Sequence, residues 1–227
     1  MFIRKDNTLK WNWILFGAIV TLILILVGVF GLDKWFHLLV HKPDCNVWTI
    51  SSGFWCSFAI ILGKIFSVKN WIIVSAICVF AFFVYKAVKN ENDFRFAFVK
   101  IKNSYAFYVF CSVVFALLVT GVLKVLIGRS RPILFDALNF QSFEGPSMEY
   151  VFNSMPSGHA AASFAGLVML GMLFPRIKWL TWTLAILIGV SRVYVGAHWM
   201  GDVIFGAFIG MVCADIVKSV LKKINSK

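Results

Sequence analysis

Acidic residues are scarce in this chain. Only 10 of its 227 residues are Asp or Glu, against 22 Lys or Arg, and charged residues make up just 14%. There is no long polar linker, low-complexity tract or internal repeat, so a single domain over residues 1–227 is expected. The five cysteines lack metal-ligand spacing. Cys56, Cys78, Cys111 and Cys213 lie in apolar runs and read as small core residues. Cys45 stands in a connecting segment without an evident partner, so no disulfide framework is expected. Asp136, Glu144 and Glu149 fall in one connecting segment and do not read as a metal cluster, so neither metal nor cofactor is expected. A net charge of +12 would suit nucleic acid, but the basic residues stand mostly in short segments between apolar runs. That placement fits membrane topology and contact with anionic lipids, and it excludes nucleic acid as a partner.

Apolar surface is what the chain has in abundance. Hydrophobic residues make up 60% of it, which places it among polytopic membrane proteins and predicts an all-α helical bundle. A crossing helix needs about 20 mostly apolar residues. Five spans are clear, at about 11–31, 104–126, 157–174, 179–197 and 201–220. The first follows a basic start, Arg4 and Lys5, and has no small-residue cleavage site, so it reads as a retained span. The region 47–85 holds two apolar runs parted by Lys64, Lys69 and Asn70; both cross, or one crosses while the other lies at the interface or re-enters. Trp11, Trp13, Trp71, Trp179 and Trp182 fall near span ends as interfacial anchors, and Gly206 and Gly210 form a G-x-x-x-G pattern suited to close helix packing.

Three short segments stand out against this background: Lys124–Pro132 (KVLIGRSRP), Pro156–His159 (PSGH) and Ser191–Asp202 (SRVYVGAHWMGD). Ionisable groups near a bilayer are costly unless they face a protein interior or a watery cleft. The first segment ends one span, the second opens the next, and the third joins the last two, so all three meet on one side of the membrane. One crossing within 47–85 gives about six spans, with both termini opposite the motifs. Fourteen of the 22 Lys and Arg then fall in 1–10, 86–103, 175–178 and 218–227. The positive-inside rule makes that side cytoplasmic and puts the motifs at the extracytoplasmic surface.

The residue types point to phosphate-ester chemistry. His198 and Asp202 are four apart; on a helix they share a face, and the carboxylate can orient the imidazole as nucleophile. His159 follows Pro156, Ser157 and Gly158 at a helix start, where free backbone N–H groups suit an anion. Ser157 and Gly158 are candidate phosphate contacts, and His159 a candidate proton donor to the leaving group. Lys124, Arg131 and Arg192 supply positive charge, and Pro132 is expected to end the preceding helix. Arg129 is an extra cation, equally suited to substrate or to lipid headgroups. Aromatic residues of the stretch 133–155 (Phe140, Phe143, Tyr150 and Phe152) line a lipid entrance or simply anchor a loop. His37 and His41 read as interfacial residues outside the site.

The three segments match K-x6-R-P, P-S-G-H and S-R-x5-H-x3-D at every motif position, and in this the chain resembles the type 2 phosphatidic acid phosphatase superfamily. The motif-bearing part is about 104–220; the first half fits the family by hydropathy alone. The resemblance implies a metal-independent integral-membrane lipid phosphatase that works through a phosphohistidine intermediate. A short six-span chain resembles bacterial members, so a bacterial cytoplasmic (inner) membrane is expected, with the site facing outward. The resemblance implies undecaprenyl diphosphate, phosphatidylglycerophosphate, phosphatidic acid or lipid A 1-phosphate as substrate; the motifs read the phosphate and do not choose among the lipids. Transfer of the phosphate to a second lipid is the alternative reaction. A non-enzymatic lipid-binding or transport protein is the remaining alternative.

Overall fold

A backbone lying in hydrocarbon must satisfy its own polar groups, and helices are the local solution for a single apolar run. The computed structural model describes residues 3, 8–42, 44–45, 53–88 and 104–225, with side chains described for all of these except 86–88. Helices make up the regular structure of this part, with two isolated β-bridges and no strand. Most of the basic segment 86–103 lies outside the described residues.

Helix α1 (Trp11–Val27) runs through a π-helical stretch, Gly28–Leu32, into α2 (Asp33–Val40). Gly31 has φ 152°, a conformation glycine tolerates, and it marks the kink between the two helices. The kinked unit buries Asp33 and His37, one helical turn apart, and leaves Trp35, Leu38 and Leu39 exposed. His37, expected at the interface, is thus a core residue. Helices α3 (Phe54–Ile65) and α4 (Val68–Val88) divide the ambiguous region. At 12 residues α3 is about 18 Å long, too short for a hydrocarbon core of about 30 Å, whereas the 21-residue α4 reaches across.

Helix α5 (Tyr105–Ile127) starts at Ser104, whose hydroxyl accepts from the Phe107 N–H, and ends at Gly128 in the left-handed region. Pro132 does not end this helix: Gly128 does, and Pro132 opens a new one, α6 (Pro132–Leu138). The fixed φ of proline suits a first helical turn, where its missing N–H costs nothing. The stretch between the first two motifs is therefore partly ordered as α6 and a short 3-10 turn at Tyr150–Phe152. The chain continues through α7 (Gly158–Leu173), a 3-10 turn at Pro175–Ile177, α8 (Lys178–Tyr194) and α9 (Met200–Asn225).

Helix α7 is the axis of the bundle and packs against α4, α5, α8 and α9. Small residues allow this. Ala160, Ala161, Ala162 and Ala165 are fully buried, and a methyl group on Gly206 or Gly210 of α9 would overlap the α7 carbonyls of Ser157 and Ala161. Hydrogen bonds cross the same interfaces, from the Ser112 hydroxyl to the Ala165 carbonyl (2.9 Å) and from the Trp71 indole to the Ser163 hydroxyl (3.1 Å). Among the described residues, four segments are long and apolar enough to cross a membrane: Trp11–Val40, Val68–Tyr85, Tyr105–Ile127 and Met200–Asn225. Helices α7 and α8, at 16 and 17 residues, fall just short of that length.

Cys45 and Cys56 are joined by a disulfide, contrary to the expectation from sequence. The bond ties the chain before α3 to the first turn of that helix, against Val195. Cys78, Cys111 and Cys213 are free; Cys213 is buried, whereas Cys78 is exposed.

Candidate active site

The three motifs converge on a cavity of about 350 Å³. Its wall includes Lys124 from α5, Arg131 just before α6, Gly158 and His159 from the start of α7, Arg192 from α8, and His198 from the turn before α9. That turn depends on Gly196, whose φ of 64° lets the chain leave α8 sharply, so His198 sits in a turn rather than on a helix. Lys64 of α3 also lines the cavity, although its position between two apolar runs suggested only a topological role. Tyr150 lines it as well, and its ring lies 4.0 Å from the Arg131 guanidinium.

The cations are held by backbone carbonyl oxygens. Lys124 Nζ donates to Asn153 (2.7 Å) and Ser154 (3.3 Å). Arg131 donates to Tyr150 (2.8 Å), Ala197 (2.9 Å) and Asn153 (3.0 Å). Arg192 donates to Ala59 (2.6 Å) and to the Ser191 hydroxyl (3.1 Å). Among the described residues, no Asp or Glu lines the cavity, so these partners orient the positive charges without neutralising them. Such a pocket is built for an anion.

Asp202 lies behind the wall. It is fully buried, and its carboxylate accepts from Arg129 Nη1 (2.6 Å), the Trp199 backbone N–H (3.0 Å) and the Ser154 hydroxyl. The Trp199 contact is the backward half of a capping box on α9. Asp202 Oδ2 is 3.8 Å from His198 Nδ1, within reach of charge but longer than a hydrogen bond, and Nδ1 has no hydrogen-bond partner among the described residues. Ser157 is also behind the wall. Its hydroxyl caps α7 by accepting from the Ala160 N–H (3.4 Å), and its own N–H donates to the Asp202 carbonyl (2.9 Å).

Arg129 touches neither substrate space nor lipid. It is fully buried, and its second guanidinium nitrogen donates to Asp33 (2.7 Å), whose other oxygen accepts from the Gly201 N–H (2.9 Å). Its guanidinium lies 5.4 Å from the rings of both Phe143 and Trp199. Asp33, Ser154 and Trp199 are therefore supporting residues that motif reading missed. An acid directly after a long apolar run was the available signal for Asp33. Burial pushes the His198 imidazole well below its ordinary pKa; Arg131 adds to that shift, while Asp202 opposes it. The ring is thus held neutral.

The family model described as the PAP2 superfamily matches residues 105–226, more than half of the chain. The chain belongs to the PAP2 superfamily. Its bundle of apolar helices is that of an integral membrane protein. Among similar proteins, a lipid A 1-phosphatase of Rhizobium johnstonii is 39% identical over 113 residues, covering 48% of this chain and 46% of that protein. An undecaprenyl-diphosphatase of Sulfolobus acidocaldarius is 36% identical over 100 residues, covering 44% of this chain and 47% of that protein. The chain thus spans about half the length of the curated relatives it matches. The crystal structure of a PAP2-type phosphatidylglycerolphosphate phosphatase from Bacillus subtilis aligns with a TM-score of 0.61 at 20% identity, over 93% of this chain and 96% of that one. The PAP2 fold thus extends over the N-terminal half, where the motifs are silent.

Proposed function

We propose that this PAP2 protein is a membrane lipid phosphatase that acts as one membrane domain and hydrolyses a lipid phosphate monoester or diphosphate. The observation that carries this reading is one cavity holding three motif cations, two histidines and, among the described residues, no carboxylate. In the reaction, neutral His198 attacks phosphorus while Lys124, Arg131, Arg192 and the Gly158 end of α7 stabilise the charge on the phosphoryl oxygens. His159 protonates the leaving oxygen and then, as base, activates the water that cleaves the phosphohistidine. Asp202 faces Nδ1 and favours the tautomer with Nε2 free; the 3.8 Å separation closes as the ring gains charge. The displacement involves no metal.

Lipid A 1-phosphate is the leading substrate, on the strength of the Rhizobium relatives, ahead of undecaprenyl diphosphate. In this reading α1, α4, α5, α7, α8 and α9 cross the membrane and the basic segments face the cytoplasm, which leaves the cavity outside it; the disulfide beside it supports that side, because such bonds persist in oxidising compartments.

The test is phosphate release by the purified full chain in detergent with EDTA present. The panel is lipid A, undecaprenyl diphosphate, phosphatidylglycerophosphate and phosphatidic acid. Release from one lipid, abolished in His198→Ala, is expected; equal release by that variant would remove His198 as nucleophile. The kcat/KM profile is expected to be bell-shaped. Its acidic limb reports protonation of His198 and should lie below the ordinary imidazole value of about 6.5. Loss of turnover in EDTA with recovery in magnesium would contradict the metal-free displacement.

A further inference from the structure

We propose that His37, His41 and Asp136 form a second site, for a divalent transition-metal ion of the zinc class. His37 lies in α2 and His41 directly after it, while Asp136 comes from α6, far away in sequence. His37 Nε2 lies 2.7 Å from one oxygen of Asp136 and His41 Nε2 lies 3.6 Å from the other. All three donor atoms fall within 4.8 Å of one another. Ligands at about 2.0 Å from a tetrahedral ion sit about 3.3 Å apart, so small side-chain rotations complete the set.

The hydrogen bonding of His41 aims its second ring nitrogen at Asp136. Its Nδ1 lies 2.9 Å from the Tyr194 carbonyl oxygen, which can only accept, so Nδ1 carries the proton. In the neutral ring, the Nε2 lone pair then faces the lone pairs of a carboxylate oxygen. The two rings stack with centroids 4.6 Å apart and turn both Nε2 atoms toward the same carboxylate. One divalent ion between the three groups would accept a lone pair from each ring and from the carboxylate. An Nδ1–H bonded to a backbone carbonyl is also the usual outer-shell support of an Nε2 metal ligand. His37 Nδ1 has no hydrogen-bond partner among the described residues, so the ring can move its proton there and offer Nε2.

The surroundings suit such an ion. The rings of Trp199 and Phe135 stand 5.3 and 6.1 Å from His37 and give the site a dry wall. A methyl group on Gly196 would press on the His41 ring, so this glycine lets the ring pack against the backbone. Two imidazoles and one carboxylate favour zinc-like ions over magnesium or calcium, which prefer oxygen. His41 and Asp136 line a cavity of about 810 Å³ that shares Arg131 and Tyr150 with the phosphate cavity, which leaves room for further ligands. Neither His159 nor His198 belongs to the site, and the ion takes no part in the displacement at His198.

The experiment is a Co²⁺ titration of the full chain in detergent after chelator treatment, read by visible d–d absorption. One equivalent should bind, be displaced by Zn²⁺, and be lost in His41→Gln and Asp136→Asn but kept in His198→Ala. No Co²⁺ band in the parent protein, or an unchanged band in the two site variants, would overturn the proposal. Should those variants fail to fold, the parent protein decides: its melting temperature should rise with Zn²⁺ and not with Mg²⁺, and no rise refutes the site. No turnover is needed, so failure here leaves the phosphohistidine reading intact, and an inactive protein that still gives the band leaves the metal site intact.

Discussion

At the scale of the residue, the motif positions divide into those that line the cavity and those that hold them in place. Lys124, Arg131, Arg192, His159 and His198 reach the cavity, whereas Asp202 and Ser157 stand behind it. Arg129 connects the supporting layer, because its guanidinium bridges two fully or nearly fully buried carboxylates, Asp33 and Asp202. Removing one member of a buried ion group leaves uncompensated charge at a cost of about 3–5 kcal/mol. Arg129→Met should therefore sharply lower the melting temperature in detergent. Asp33→Asn, which leaves the Arg129–Asp202 pair intact, should lower it less. A variant Arg129→Met that melts with the parent protein would refute this role. Sequence marked Arg129 as a cation without an assignment, since its two partners lie 73 and 96 residues away.

At the scale of the element, α3 is too short to cross but completes the site. Its Ala59 carbonyl accepts from Arg192, and its Gly63 and Lys64 line the cavity. The Arg192 guanidinium rests where a Gly63 side chain would stand. Gly63→Ala should displace Arg192 without unfolding the bundle and lower kcat by about 10²-fold, the scale of losing one charge-stabilising donor. Comparing kcat and melting temperature with the parent protein checks this, and an unchanged kcat would count against it. The long helices were legible because an apolar run of about 20 residues has few other options in lipid. The break at Gly31, the start of α6 at Pro132 and the role of α3 were not, because each depends on packing against distant segments.

At the scale of the whole molecule, the disulfide links stability to orientation. Cys45 and Cys56 are 11 residues apart, and closing a loop of that size is worth about 3 kcal/mol. Cys45→Ser should destabilise the protein by about that amount in denaturant titrations. In intact cells, a membrane-impermeant thiol reagent should label a cysteine introduced as Leu138→Cys, which is exposed at the end of α6. Labelling only after the membrane is opened would place the cavity on the cytoplasmic side and reverse the proposed topology.

The sequence by itself determined the class of molecule and most of the charged residues that line the cavity. Hydropathy is a local property read off successive residues, and each motif covers only a helix end or start and the short turn beside it. Only the tertiary structure decided what supports those residues. The Asp33–Arg129–Asp202 bridge, the Cys45–Cys56 bond and the His37–His41–Asp136 group each join chain segments whose proximity follows from how the helices pack. The same packing placed Asp202 behind the cavity and set it 3.8 Å from His198, a separation that spacing along a helix does not specify.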